Sequence, residues 1–165
     1  MRIPWRRSSD AAPAATYRAI LVPVASGTSD ATVATAGRLA ASRNAIIEAI
    51  TVLELPMELP LDAPLPEAEE AALELLEHMR SVAERYGARV ITYIVRGRRA
   101  GQAIVEEAGR AGVDVIVMAA STRQRTNSRP LGDTVDHVTR HAPCRVILSL
   151  EPAADRAAAR EGPTA

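Results

Sequence analysis

Three arginines occupy a short polar loop between an apolar run and a helical pattern in the C-terminal part of the chain. The apolar run is Val115 to Ala120, and the arginines are Arg123, Arg125 and Arg129. A helix is predicted to open at Gly132, and the first turn of a helix offers unpaired backbone amides and a partial positive charge. Arginines in front of a helix N-terminus suit a phosphate or another anion. The same arginines also fit a solvated surface loop, so the pattern indicates an anion site without identifying a ligand.

A second loop, in the N-terminal part of the chain, also has residues that are typical of phosphate binding. It reads Ser-Gly-Thr-Ser-Asp from Ser26 to Asp30 and follows the first apolar run. The stretch is similar to the S-G-G-x-D-S phosphate loop of ATP pyrophosphatases, with Thr28 in place of the second glycine and Ala31 in place of the last serine. The alternative interpretation is a helix-capping loop, with Ser29 or Asp30 as the N-cap.

Histidine, cysteine and acidic residues near the C-terminal end do not complete a metal or hydrolytic site. His137 and His141 have a spacing that can hold a metal ion on a helix, but no glutamate or third ligand accompanies them. Asp136 lies beside them without a serine in a G-x-S-x-G elbow. Cys144 follows Pro143 at the entry of a strand and is expected to be a small buried residue. We therefore predict no metal site and no catalytic residue, with the two histidines on an exposed helix face.

The composition excludes several classes of function. Twenty basic residues balance twenty acidic ones, so no overall field attracts the protein to nucleic acid. A single cysteine excludes a disulfide within the chain and favours a reducing, cytoplasmic location. No apolar run approaches the roughly 18 residues of a transmembrane helix, and the N-terminal end lacks an apolar signal segment. Because phenylalanine is absent, the core is expected to consist of Val, Ile, Leu and Ala.

Apolar runs and helical patterns alternate along the chain between two polar ends. Strands are predicted at residues 19–24, 45–55, 89–95 and 115–120 and from Val146, and helices at residues 30–43, 67–86 and 102–111 and from Gly132. The stretch of residues 56–66 has four prolines and is predicted to be a surface connection. Parallel strands require helical crossovers, so residues 17–150 are predicted to form one α/β domain around an open parallel sheet. Residues 1–16 are predicted to be a disordered leader or linker, and residues 151–165 a disordered tail.

The predicted strand order determines where a ligand would bind. With five parallel strands in the order 3-2-1-4-5 and helices on both faces, the direction of winding reverses between the first and fourth strands. Ligands of such sheets bind in the crevice at that reversal, outside the carboxyl ends of the strands. These ends place the stretch from Pro23 to Ser26 opposite the stretch from Met118 to Thr122. We therefore expect the two polar loops to meet in one crevice.

The order of the elements and three stretches of the sequence resemble the universal stress protein family. The stretches are AILVPV, VDVIVMAAS and LGDTVDHVTRHAPCRVIL, and the resemblance covers the chain from about Tyr17 to Leu150. The HAPCRV segment is the most specific of them, because it enters the last strand after Leu-Gly and a short helix. The resemblance implies a Rossmann-like fold similar to that of the adenine nucleotide alpha hydrolases, dimers through the last strand and, in some members, nucleotide binding.

Nucleotide-binding members of this family have a pattern of G-x-x-G, nine residues, and then Gly followed by Ser or Thr, with an Asp at the end of the first strand. In this chain the pattern falls on Ala119, Thr122, Gly132 and Asp133, and the Asp position falls on Ala25. Only the third glycine is present. Cβ atoms at the first two positions stand where the backbone would approach phosphates closely. The resemblance therefore implies a degenerate nucleotide crevice.

Asp133 has two interpretations, which decide what the crevice can hold. Its carboxylate stands where a phosphate would lie, and as an N-cap it would accept amides of its own helix. We expect the N-cap, so that a bound phosphate would meet a like charge. The crevice that the resemblance implies is formed by Pro23, Ala25, Met118, Ala119, Thr122, Arg123, Gly132, Asp133 and Thr134.

The sequence thus predicts a non-enzymatic stress-response module that acts through dimerisation and an unknown protein partner, without a cofactor. The homodimer is expected to form at Val146, Ile147 and Leu148, because an apolar edge strand presents unpaired backbone groups. The alternative is an adenine-nucleotide sensor that binds ATP or cyclic AMP in the crevice. A third hypothesis is an ATP-cleaving enzyme that uses the Ser26 loop. Family members also occur as soluble portions of membrane transporters, and the Arg-rich leader is compatible with that origin.

Overall fold

Strands and helices alternate along the chain in the computed structural model, which describes residues 17–41, 44–120 and 131–150. In chain order the elements are β1 (Ala19–Pro23), α1 (Asp30–Ala41), β2 (Ile46–Glu54), α2 (Pro66–Glu84), β3 (Arg89–Gly97), α3 (Ala100–Ala111), β4 (Val115–Ala120), α4 (Asp133–His141) and β5 (Arg145–Leu150). Every predicted element is present. The predicted boundaries depart from these by at most two residues.

The five strands form one sheet in the order β3-β2-β1-β4-β5, and all neighbouring strands are parallel. This confirms the predicted open sheet, in which the winding reverses between β1 and β4. The central strand β1 is buried on both faces, with Ile20, Leu21 and Val22 at 0% exposure. Pro23 is its last residue, and a proline is tolerated there because the strand gives way to a loop.

Helices cover both faces of the sheet, as parallel strands with apolar side chains on both sides require. On one face α1 and α2 pack through a core that includes Val33, Leu76 and Met79. On the other face α3 and α4 pack through Ile104 and Val138. Both cores are mainly aliphatic, as the absence of phenylalanine predicts. Among the described residues, no helix is both long and apolar enough to span a membrane.

Helix α3 begins at Ala100, two residues before the predicted start at Gln102. The prediction is wrong here because Gly101 belongs to the helix in spite of its low helix propensity. A Cβ atom on Gly101 would lie 2.9 Å from the Cβ of His137. Glycine at this position therefore allows the first turn of α3 to approach α4 closely.

A hydrogen-bonded cluster ties α3 to β2 and β3. The Tyr93 hydroxyl lies 2.6 Å from Glu48 Oε2 and 2.7 Å from Glu107 Oε1. Arg110 donates to both carboxylate oxygens of Glu107, and this contact is the main reason why the pKa of Glu107 is lowered. Burial, followed by the two neighbouring carboxyl groups, raises the pKa of Tyr93. The phenol therefore keeps its hydrogen and remains a donor to the cluster.

The connection between β2 and α2 has no helix or strand, as its prolines predict. Pro66, the last proline of the predicted stretch, is the first residue of α2. Two arginines at the end of β3 hold the connection in place. Arg96 donates to two of its carbonyls and forms an ion pair with Glu69, and Arg98 donates to two further carbonyls. In chain order, the four carbonyls belong to Leu55, Pro56, Leu61 and Ala63. The connection is thus anchored at both of its halves.

Replacing Tyr93 with Phe is predicted to destabilise the fold. The change removes the hydroxyl that faces Glu48 and Glu107. Arg110 still donates to Glu107, so the loss is that of the tyrosine hydrogen bond itself, and a hydrogen bond to a charged group contributes about 1.5–3 kcal/mol. Urea unfolding measures the change in the free energy of unfolding. The matched control is Tyr86→Phe, since the Tyr86 hydroxyl is 3.4 Å from Arg38 at an exposed site, and its loss should stay within about 0.5 kcal/mol. Equal losses in the two variants would contradict a stabilising role of the cluster.

Candidate functional site

The carboxyl ends of β1 and β4 lie side by side, where the predicted crevice should be. Leu21 of β1 pairs with Ile116 of β4, and Pro23 and Met118 each follow two residues later. These two residues therefore arrive at the same edge of the sheet, and Ala25 and Ala119 follow close behind. The structure thus brings together the four predicted site residues that belong to these two segments.

The side chains at this edge differ in their access to solvent. Met118 is only 4% exposed and packs in the core beneath α3 and α4. Pro23 and Ala119 are half-buried, and Ala25 is exposed. None of the four side chains has a nitrogen or oxygen atom, so a ligand at this edge would depend on backbone groups for its hydrogen bonds.

Hydrogen bonds within the loop after β1 engage several of its polar groups. The amide of Ala25 donates to the Thr28 hydroxyl at 2.9 Å, and the amide of Thr28 donates to the carbonyl of Ala25 at 2.8 Å. The amide of Thr32 donates to Ser29 Oγ at 3.4 Å. Of the two predicted N-caps of α1, Ser29 is therefore the one observed, and Asp30 is the first helical residue. Both backbone groups of Ala25 are already engaged within the loop.

Helix α4 has Gly132 as its N-cap and Asp133 as its first helical residue. The prediction of Asp133 as the N-cap is wrong, because Gly132 adopts φ 89° and ψ 159° at that position, a conformation open to glycine. The carboxylate of Asp133 still belongs to the first turn, where the helix dipole favours negative charge. Thr134 follows it in the same turn. The remaining predicted anion-binding residues lie outside the described ranges and are Thr122, Arg123, Arg125 and Arg129.

A polar groove of about 720 Å³ lies between the start of α3 and helix α4. Two predicted site residues, Asp133 and Thr134, line it, together with three arginines, two histidines and two further carboxylates. The complete lining is Glu54, Arg98, Arg99, Ala100, Gly101, Gln102, Asp133, Thr134, Asp136, His137, Arg140 and His141. Because both signs of charge are present, the preference of the groove for an anion depends on how its carboxylates are placed.

Carboxylates of the chain itself lie at the two helix starts that face the groove. Glu54 accepts a hydrogen bond from the amide of Ala100, at the start of α3. Asp133 is the first residue of α4. Asp136 forms an ion pair of 2.9 Å with Arg140 on the same helix. Both helix starts that face the groove therefore already have a negative side chain of the protein.

His137 and His141 stack on each other in the groove, with ring centroids 4.3 Å apart. His141 Nδ1 lies 2.8 Å from the backbone carbonyl of His137. The prediction of an exposed face holds for His141 but is wrong for His137, which is half-buried against Gly101. Within the part of the chain that the structure describes, no group of three or more His, Cys, Asp or Glu residues is placed to hold a metal ion.

Cys144 is half-buried rather than fully buried. Burial raises the pKa of its thiol, and the charge of Asp114 adds to the rise. A thiol with a raised pKa is a poor nucleophile at neutral pH, so the side chain contributes packing rather than chemistry.

Sequence reasoning missed half of the ten polar residues that line the groove. They come from three elements and their flanks, and no spacing in the sequence links them. Two of them could have been predicted from their positions. Glu54 is the last residue of β2 and Arg98 follows β3, and the carboxyl ends of parallel strands lie at one edge of the sheet. The missed residues are Glu54, Arg98, Arg99, Gln102 and Arg140.

The parallel sheet, its reversal between β1 and β4 and the helix starts at its carboxyl edge define a Rossmann-like α/β domain. A family model described as the universal stress protein family matches residues 16–149. Since the match covers most of the sequence, this chain belongs to the universal stress protein family. A search of curated protein sequences finds no significant match.

Solved structures of universal stress proteins share this fold. A universal stress protein in complex with cAMP is 21% identical, with a TM-score of 0.68 over 81% of this chain and 97% of its own. A universal stress protein from Archaeoglobus fulgidus in complex with dAMP is 20% identical, with a TM-score of 0.62 over 81% of this chain and 98% of its own. UspA from Lactobacillus plantarum is 27% identical, with a TM-score of 0.54 over 81% of this chain and 98% of its own. These likenesses confirm the predicted UspA-like fold.

Removing the Glu54 carboxylate is predicted to weaken the start of α3. In Glu54→Ala the amide of Ala100 loses its acceptor, and the loss of a capping acceptor reduces stability by about 0.5–2 kcal/mol. Urea unfolding followed by circular dichroism measures the difference. The control is Glu84→Ala at the exposed last residue of α2, which should change stability by less than about 0.5 kcal/mol. A Glu54→Ala variant as stable as the control would mean that this carboxylate does not cap α3.

Proposed function

We propose that this chain is a non-enzymatic regulatory module of the cytoplasmic stress response, which acts through dimerisation and protein contacts and does not bind ATP tightly. Membership of the universal stress protein family supports the stress-response role. The observation that carries the proposal is the placement of two carboxylates at the groove. Glu54 accepts from the first amide of α3, and Asp133 is the first residue of α4.

A phosphate group would compete with these carboxylates for the same positive helix ends. Each helix N-terminus carries about half a unit of positive charge, and a carboxylate of the chain already offsets it. Two like charges 4 Å apart repel by about 1 kcal/mol in bulk water and about 4 kcal/mol near a protein surface. Repulsion of that size weakens binding by roughly one to three orders of magnitude.

The end of β1 supports the same conclusion. Ala25 stands where the resemblance places an aspartate in nucleotide-binding members, and it has no carboxylate with which to contact a ribose or an adenine. Its amide and carbonyl are bonded to Thr28. The hydrogen bond from the Ala25 amide engages the Thr28 hydroxyl. This argues against an ATP-cleaving enzyme that uses the Ser26 loop.

The edge strand β5 supports the homodimer. It pairs with β4 on one side, and the opposite edge of such a strand carries backbone groups that readily pair with another strand. Val146, Ile147 and Leu148 are half-buried along it, and Leu150 is 53% exposed at its end. Two copies joined through this edge would cover apolar surface that a single copy leaves in water.

An adenine-nucleotide sensor is the second candidate, and the arginines of the groove favour it. Arg98, Arg99 and Arg140 line the groove, and solved members of the family hold cAMP or dAMP. Arg98 is engaged with backbone carbonyls and Arg140 with Asp136, so a nucleotide phosphate would have to displace these contacts.

Calorimetric titration with ATP, ADP and cyclic AMP distinguishes the two candidates. For the wild type we expect no saturable binding tighter than about 100 μM, which corresponds to about −5.5 kcal/mol. Asp133→Ser replaces the repelling carboxylate with a neutral hydroxyl, and ATP affinity is predicted to rise by about tenfold or more. Glu84→Ser makes the same charge change far from the groove and should leave affinity unchanged. Tighter binding by the wild type would favour the sensor, and no gain in Asp133→Ser would mean that this carboxylate is not what blocks ATP.

Replacing Ile147 with Lys is predicted to dissociate the homodimer. On association the new charge would be buried in the apolar edge without a partner, which is strongly unfavourable. Sedimentation velocity should give twice the monomer mass for the wild type and the monomer mass for the variant, with circular dichroism confirming that both are folded. The matched control is Ile91→Lys, because Ile91 is 52% exposed on β3 at the opposite edge of the sheet. A monomeric wild type, or equal behaviour of the two variants, would contradict a dimer through β5.

A further inference from the structure

Acidic residues are concentrated in one part of this chain, although its formal net charge is zero. From Asn44 to Met79 the sequence has nine Asp and Glu residues and no Lys or Arg. Within this range the connection between β2 and α2 carries Glu58 and Asp62, and both are exposed. The arginines that anchor the connection bind its carbonyls and Glu69. Glu69 offsets the charge of Arg96, while Arg98 donates to neutral carbonyls and keeps its charge. Two exposed carboxylates, Glu58 and Asp62, and one guanidinium therefore leave this surface with a net negative charge.

The same connection exposes large apolar side chains. Met57 is 77% exposed, Leu59 39% and Leu61 46%, and these are three of the six large hydrophobic residues that are exposed in the described part of the chain. Exposed apolar side chains gathered in one place mark interaction surfaces. We call the surface formed by Met57, Glu58, Leu59, Leu61 and Asp62 the acidic apolar patch.

The acidic apolar patch is ordered by contacts within the domain. Arg96 and Arg98 bind four carbonyls of the connection. Two turns, at residues 56–59 and 60–63, are closed by backbone hydrogen bonds of 3.2 and 3.1 Å. A surface that is ordered before its partner arrives loses less entropy on binding.

We propose that the N-terminal segment of this chain, residues 1–7, binds to the acidic apolar patch. The chemistry of the segment complements the patch, because it has three arginines, three large apolar side chains and no acidic residue. Opposite charges around an apolar contact provide specificity and orient the two surfaces. The negative charge of the patch disfavours nucleic acid or an anionic membrane as its occupant. The residues of the segment that would make the contact are Arg2, Ile3, Trp5, Arg6 and Arg7.

The segment is long enough to reach the patch. Trp5 precedes Tyr17 by twelve residues, and an extended chain of that length spans about 40 Å. The carbonyl of Arg18 accepts from the amide of Ile46 at 2.9 Å, so the described chain begins beside the start of β2. β2 has nine residues and covers about 30 Å from there to the connection. The contact can therefore form within one copy of the protein.

This inference goes beyond the proposed function, since it depends neither on the dimer through β5 nor on the binding of a nucleotide.

Acrylamide quenching of Trp5 fluorescence tests the proposal, because Trp5 is the only tryptophan in the chain. In the full chain we expect quenching about twofold or more weaker than in a synthetic peptide of residues 1–16, since a bound indole ring is shielded from solvent. The shielding should be independent of protein concentration and should decrease as added salt screens the charges. Reversal of the two patch charges, in Glu58→Lys/Asp62→Lys, should bring quenching to the value of the peptide.

A matched control variant separates the patch from general charge effects. Glu84→Lys/Glu106→Lys makes the same change in net charge at exposed residues of α2 and α3 and should leave Trp5 shielded. Peptide-like quenching in the wild type would overturn the proposal, as would shielding that persists in Glu58→Lys/Asp62→Lys. Shielding that disappears on dilution would overturn it in favour of a contact between copies. Shielding that requires anionic vesicles would overturn it in favour of a membrane contact.

Discussion

Helix N-termini gather at the carboxyl edge of a parallel sheet, and their unpaired amides need acceptors. This chain supplies the acceptors from its own side chains. At the start of α1, Ser29 accepts a hydrogen bond from the amide of Thr32, and at the start of α3, Glu54 accepts one from the amide of Ala100. At α2 the Glu69 carboxylate accepts from the Leu65 amide. Asp133 lies in the first turn of α4. The helix N-termini make the carboxyl edge of the sheet electrically positive, and the carboxylates of the chain lie at the same edge. The carboxylates at the starts of α3 and α4 also limit which anions the groove can accept.

The two faces of the sheet are held together in different ways. On the α1 and α2 face, small side chains allow close approach, and a Cβ on Gly37 would lie 3.3 Å from the carbonyl oxygen of Ala83 and the ring of Tyr86. On the α3 face, the Tyr93 hydroxyl of the cluster links the sheet to the helix, at 2.7 Å from Glu107 Oε1. Because α3 lines one side of the groove, the cluster also helps to fix the position of that side.

Most of the fold could be predicted from the sequence because its signals are local. Apolar runs identify all five strands, and their alternation with helical patterns predicts the parallel sheet. The candidate site was less predictable, because its residues are distant in sequence. A Cβ atom on Gly101 would come too close to His137, and this contact joins helices that no local pattern connects. Gly132 and Asp133 are both good N-caps, and the positive φ of Gly132 decides between them.

The contacts of Arg96 and Arg98 also bear on how the protein acquires its structure during synthesis. The connection between β2 and α2 leaves the ribosome first, and the arginines that bind its carbonyls follow 33 to 43 residues later. The Asp114 carboxylate, which binds the amides of Arg18 and Ala19, emerges 95 or 96 residues after them. The first half of the domain is therefore translated before its stabilising partners exist. In that interval Met57, Leu59 and Leu61 form an apolar stretch on a nascent chain, which is a typical target for chaperones that bind unfolded polypeptides.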